Sequence, residues 1–70
     1  MNPNLLVKPY WAKYKATDQD GRMYWYEYLP VQDWKNNCWI NRPTCRGGQV
    51  HFAGYADGIQ PDWSKLLEEL

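Results

Sequence analysis

Long hydrophobic runs are missing from this chain. The longest aliphatic stretch is Leu5-Leu6-Val7, whereas a membrane-spanning helix needs about 20 apolar residues, and with no basic residue ahead of it the run gives no support for a secretory leader. A cytoplasmic protein with no membrane partner is the expectation. Cysteine is scarce too. Cys38 and Cys45 are the only two, and in a reducing compartment they read as thiols; in an exported protein their spacing would allow a disulfide. There is one histidine, His51, and one serine, Ser64. No clustered nucleophile, base and orienting acid can be assembled from so few groups, which argues against an enzyme and leaves no catalytic residue to name. No excess of either charge exists: eight basic residues balance eight acidic ones, so the global basic footprint that duplex binding normally needs is absent.

What the chain has is aromatic mass. Leu, Ile and Val together number eleven, matched by five Trp and six Tyr. Seventy residues sit near the lower end of what folds unaided, so a core forms only if the large rings enter it, each burying about 150–250 Å². The charges come in alternating blocks, +3 over 1–15, −3 over 16–33, +3 over 34–55 and −3 over 56–70.

Residues 11–17 and 22–29 are rich in strand-forming aromatics and flank Asp18-Gln19-Asp20-Gly21. That tetrapeptide fits a type I turn with Asp at its first position and a left-handed Gly at its last, forming a G1 bulge. The register then pairs Ala16 with Tyr24, Tyr14 with Tyr26, Ala12 with Tyr28, Lys15 with Trp25 and Lys13 with Glu27. A two- or four-residue loop would instead set Trp25 against Ala12, Tyr14 and Ala16, so the ring parity that faces the core stays open at this point.

Pro30 ends the second strand, and further short strands are expected near 38–40 and 49–53, the latter after an Arg46-Gly47-Gly48 turn. Pro61-Asp62 reads as a helix start with Asp62 as N-cap, and Trp63, Leu66, Leu67 and Leu70 follow at i, i+3, i+4 and i+7. The fold class expected is α+β: one domain with an extended segment 1–9, a β-hairpin over 11–29, a three- to four-stranded antiparallel sheet, and one short C-terminal helix, 62–70, packed on it.

Two metal motifs fail on ligand chemistry. Asp18, Asp20, Gly21 and Glu27 match the back half of a calcium loop, but Ala16 occupies the first ligand position and the flanks have strand character. Cys38, Cys45 and His51 give three ligands without a close pair, where structural zinc takes four. No metal and no cofactor are expected.

Five Trp and six Tyr exceed what one sheet-and-helix layer buries. Trp11, Trp25 and Trp39 are the rings expected to remain partly exposed, and Trp25 with Lys13 and Lys15 is the expected centre of a binding surface, since exposed Trp beside cations is common interface chemistry.

The run Trp11-x-x-Tyr14-x-Ala16-x-Asp18-x-Asp20-Gly21-x-x-Tyr24-Trp25-Tyr26-Glu27-x-x-Pro30, together with Pro61-Asp62-Trp63-Ser64-Lys65-Leu66, resembles the small Trp-rich accessory proteins of tailed bacteriophages and prophages. The resemblance implies an accessory protein that works inside an infected bacterium by binding a host protein and blocking or redirecting it, anti-defence activity being one example. Two other readings stand beside it. The segment 34–55 interleaves Trp34, Trp39, Phe52 and Tyr55 with Lys35, Arg42 and Arg46, a pattern suited to single-stranded nucleic acid. Exposed rings could also close a homodimer.

Overall fold

The computed structural model describes residues 7–42 and 48–70. Six strands account for nearly all of its regular structure: β1 (Tyr14–Thr17), β2 (Arg22–Tyr26), β3 (Val31–Asp33), β4 (Cys38–Ile40), β5 (Val50–Tyr55) and β6 (Leu67–Glu69). They form a four-stranded antiparallel sheet in the order β5-β2-β1-β6, and a separate two-stranded ribbon of β3 and β4.

The first hairpin is built by its turn. Gly21 adopts φ +91°, its N–H donates to the Asp18 carbonyl at 3.0 Å, and the Asp18 N–H donates to the Arg22 carbonyl at 2.8 Å. This left-handed glycine closes the bulged turn and fixes the register Ala16 to Tyr24, Lys15 to Trp25 and Tyr14 to Tyr26. Glycine is required twice over, because a Cβ here would lie 2.7 Å from the Gly58 carbonyl oxygen. The ladder stops short of Ala12 and Tyr28. The Lys13 N–H donates to the carbonyl of Tyr26, the residue already paired with Tyr14, and this slip carries Ala12 to the other face, where it packs with Trp25.

The C-terminal helix expected over 62–70 does not form, and the fold is all-β rather than α+β. Trp63–Lys65 makes a single 3-10 turn, and Asp62 makes no side-chain capping bond. The chain then extends as β6 and pairs with β1, setting Leu67 opposite Ala16, Lys15 opposite Glu68 and Tyr14 opposite Glu69. Thr17 N–H donates to the Leu66 carbonyl at 3.0 Å, and Leu70 N–H to the Lys13 carbonyl at 2.9 Å. Nine residues are too few for a persistent helix, whereas β1 without β6 would leave a row of backbone groups unpaired. Trp63 and Leu67 still face the core, whereas Leu70, the last residue of the apolar stripe, is exposed.

Both faces of the sheet are covered. Alternation sends Tyr24 and Tyr26 to one side and Met23 and Trp25 to the other. On the first side Ala16, Tyr26, Trp39 and Trp63 form a buried cluster, with Tyr14, Tyr24 and Leu67 packed on it. On the second, Ala12, Met23, Trp25 and Ala53 form another, covered by Trp11 and Ala56. The ribbon of β3 and β4 lies over the first side, held by Trp39. Its turn is shaped by Asp33, whose carboxylate accepts from the Lys35 and Asn36 N–H groups and from Asn36 Nδ2, and by Asn37 at φ +54°. These bonds, Asn36 first, hold the Asp33 carboxyl below the usual carboxylate range.

Strand β5 spans Val50–Tyr55 where 49–53 was expected. A bulge between Met23 and Tyr24 of its partner strand leaves Ala53 as an extra residue in β5. Cys45, Arg46, Gly47 and the first six residues of the expected extended segment lie outside the described residues.

Candidate binding cleft between the two sheets

Asp18, at the end of β1, is 8% exposed. Its Oδ1 accepts the main-chain N–H of Trp39 at 2.7 Å. The Trp39 carbonyl accepts from the Tyr26 hydroxyl at 3.0 Å, and its indole N–H is shared between the carbonyls of Thr17 and Trp63, each at 3.1 Å. Every polar group of Trp39 is therefore bonded to the four-stranded sheet or to the 3-10 turn. A second tie joins the ribbon's turn to the first hairpin, where Gln19 N–H donates to the Asn37 carbonyl at 3.1 Å and Asn37 Nδ2 donates to Gln19 Oε1 at 3.0 Å. Beside the Trp39 clamp a gap remains between ribbon and sheet.

The gap is a cleft of about 270 Å³ lined by Asp18, Tyr24, Tyr26, Trp39, Ile40, Asn41 and Val50. One end is closed by Asn41, whose Nδ2 donates to the Gly48 carbonyl at 3.1 Å. Its Oδ1 is buried and has no hydrogen-bond partner among the described residues. Around the mouth the surface is apolar: Ile40, Val50 and Tyr55 are exposed, and Tyr24, Phe52 and Tyr55 run edge to face at 5.5 and 5.1 Å.

Burial raises the pKa values of the acids around the clamp. Desolvation pushes the Asp18 carboxyl up, opposed by the Trp39 N–H bond, with Asp20 adding to the rise and Arg22 countering it. Burial, reinforced by the charge of Asp18, pushes the Tyr26 phenol upward. Burial also raises the half-buried Cys38 thiol, with Asp18, Asp33 and Asp20 adding to it, so Cys38 is a poor nucleophile. Among the described residues no three His, Cys, Asp or Glu side chains gather as a metal site, and no helix is long and apolar enough to cross a membrane.

The residues expected to form a binding surface are scattered. Trp25 and Trp39 are each 5% exposed and lie in the clusters on opposite faces of the sheet; they are core, and neither offers a contact surface. The expectation failed because it assumed one core layer, whereas this sheet buries both faces. Trp11 is half-buried, stacked on His51 with ring centres 6.4 Å apart. Lys15 holds Glu68 at 3.7 Å, and Lys13 is exposed. The Trp left on the surface is Trp34, 65% exposed, leaning on Trp63 at 4.9 Å. The cleft itself was missed. Ile40 and Asn41 carry no motif, and Asp18 gave only its turn signal, since which carboxylate becomes buried depends on where a distant strand lands.

No family model matches the chain, and neither a curated protein nor a solved structure matches it.

Proposed function

We propose that this chain is a protein-binding module, an accessory protein that engages a host protein in the cytoplasm of an infected bacterium by taking an extended segment of it along β5 and over the cleft. The setting comes from the resemblance of residues 11–30 to phage accessory proteins. The surface comes from the edges of the sheet.

One observation carries the reading. Of the two edge strands, β6 is three residues long and bears exposed Glu68 and Glu69, charges that repel a docking strand. β5 bears no Asp, Glu, Lys or Arg, and flanks the aromatic cleft. Glu27 N–H donates to the Gln49 carbonyl, which makes that pair a hydrogen-bonded one. Antiparallel alternation then turns the N–H and C=O of Val50 and Phe52 away from β2, where an added strand can meet them. The bulge at Ala53 confines such pairing to the start of β5.

The competing reading, single-stranded nucleic acid on segment 34–55, calls on Trp39 as a stacking ring. Trp39 lies in the core, and the Arg42 guanidinium is engaged by the Leu29 carbonyl at 3.2 Å.

The test is affinity capture from bacterial lysate with wild type, Val50→Pro and Lys13→Glu side by side. Proline at position 50 removes a donor that faces away from β2, so the sheet keeps its ladder while the edge loses a bond. Proteins recovered by wild type and Lys13→Glu but lost by Val50→Pro support the reading; equal recovery by all three sinks it. A complex whose affinity for an oligonucleotide falls steeply with salt would favour the nucleic-acid reading instead.

A further inference from the structure

The polar groups in the cleft are unequally occupied. The side-chain nitrogens that line it are engaged within the chain: the Trp39 indole N–H with Thr17 and Trp63, and one N–H of Asn41 Nδ2 with Gly48. The Tyr26 hydroxyl donates to Trp39. Two acceptors are left over. Among the described residues Asn41 Oδ1 is buried without a partner, and Asp18 uses Oδ1 for the Trp39 N–H while Oδ2 makes no hydrogen bond. Tyr24, Tyr26 and Trp39 line the same cleft. At about 270 Å³ the cleft lies below the usual range for small-molecule sites, roughly 300–1,000 Å³, and is open along β5. It has the size of a pocket for one long side chain.

We propose that the cleft is the anchor pocket for an arginine side chain carried by the extended partner segment, the guanidinium donating to Asp18 and Asn41 while its plane lies against the half-buried ring of Tyr24. This rests on the strand-addition reading above and names the chemistry of the partner. Two acceptors call for a ligand with several donors, and a carboxylate walled by aromatic faces selects a cation. Arginine alone among the side chains combines a planar, always-charged fork with a flat face that stacks on rings. The charge on Asp18 is surplus to the fold: an asparagine oxygen would accept the Trp39 N–H equally well and would spare the desolvation of a buried carboxylate. Among the described residues Asp18 forms no salt bridge, and a bound guanidinium supplies one.

The test uses the intact protein, labelled with nitrogen-15, and three probes: the blocked pentapeptide Thr-Val-Arg-Val-Thr, the same peptide with norleucine at its centre, and acetyl-arginine amide. The main-chain amides of Val50 and Phe52 report strand addition; the Asn41 side-chain amide and Trp39 indole report the pocket. The arginine peptide is expected to move both sets and to bind on the order of tenfold more tightly than the norleucine peptide, as a charge-assisted bond to a buried acceptor implies. Asp18→Asn, which keeps the Trp39 bond, removes that difference. If both peptides move Val50 and Phe52 with equal affinity and Asp18→Asn changes nothing, the arginine pocket is refuted and strand addition stands. If acetyl-arginine amide moves Asn41 and Trp39 while neither peptide moves β5, the pocket stands and strand addition falls. No response of Asn41 or Trp39 to any probe overturns the inference.

Discussion

The main-chain N–H of Trp39 donates to Asp18 Oδ1 at 2.7 Å across 21 residues of sequence. This bond joins the two sheets, since Asp18 directly follows β1 of one and Trp39 is the middle residue of β4 in the other. The same carboxylate lines the cleft, so the clamp and the candidate site share a residue. Their roles separate by substitution.

Asp18→Leu leaves the Trp39 N–H buried without an acceptor and is expected to cost about 1–3 kcal/mol in denaturant unfolding. Asp18→Asn keeps an acceptor and removes a buried charge, so its stability at neutral pH should equal or exceed that of wild type. A large loss for Asp18→Asn would mean that the charge itself holds the sheets together.

The pH dependence follows from the direction of the Asp18 shift. Its carboxyl holds a proton more tightly in the folded state than at the ordinary value of 3.8, so within the window above 3.8 the native state binds more protons than the unfolded state. This group therefore makes wild-type stability fall as pH rises through that window. Asp33 acts in the opposite sense: its carboxyl is depressed, and its contribution, present above the ordinary value, is lost on acidification. The difference in melting temperature between Asp18→Asn and wild type isolates the first effect. It should be largest near neutral pH and shrink toward pH 4, and a difference independent of pH contradicts the assignment.

Gly21→Ala meets two obstacles, a left-handed backbone at φ +91° and a carbonyl oxygen 2.7 Å from the new Cβ. The conformational penalty alone is about 1–3 kcal/mol, and the contact with Gly58 adds to it. Gly58→Ala, where a Cβ meets nothing within 4 Å, carries the conformational penalty without the contact. Equilibrium unfolding of the pair should rank Gly21→Ala as the more damaging.

The C-terminal strand is distinguished from a helix by amide exchange. Thr17 N–H donates to the Leu66 carbonyl, and antiparallel alternation turns the Lys15 N–H toward its partner Glu68, so removing residues 66–70 should speed exchange at Lys15 and Thr17, the β1 amides that face β6. A C-terminal helix would leave those amides untouched by the deletion. Trp63→Ala tests the packing above it: this buried ring contacts Trp34 and Trp39, and its loss should cost about 3–5 kcal/mol.

The first hairpin was legible in the sequence because its determinants are local. Asp18 and Gly21 prescribe the turn, and the turn prescribes which residues of β1 and β2 meet. The short strand at Cys38–Ile40 was legible for a similar reason, bracketed by turn-forming residues. The C-terminal segment was not. Trp63, Leu66, Leu67 and Leu70 have helical spacing, but over nine residues that spacing competes with the free edge of β1, which no local pattern reveals. The β3 strand, Val31–Asp33, hid behind Pro30, which was read as an end. The binding surface went wrong with the core: counting rings against one layer left a surplus and put Trp25 and Trp39 outside, whereas a sheet covered on both faces takes them in and leaves Ile40, Val50, Tyr55 and Trp34 on the surface.

The central claim is that β5 beside the cleft receives the partner. Amide exchange at Val50 and Phe52, compared between the free protein and the complex recovered by capture, tests it most directly. Both N–H groups face away from β2, so they should exchange rapidly in the free protein and slow about tenfold or more when a strand is added. Unchanged exchange at both positions in a stable complex would contradict the account.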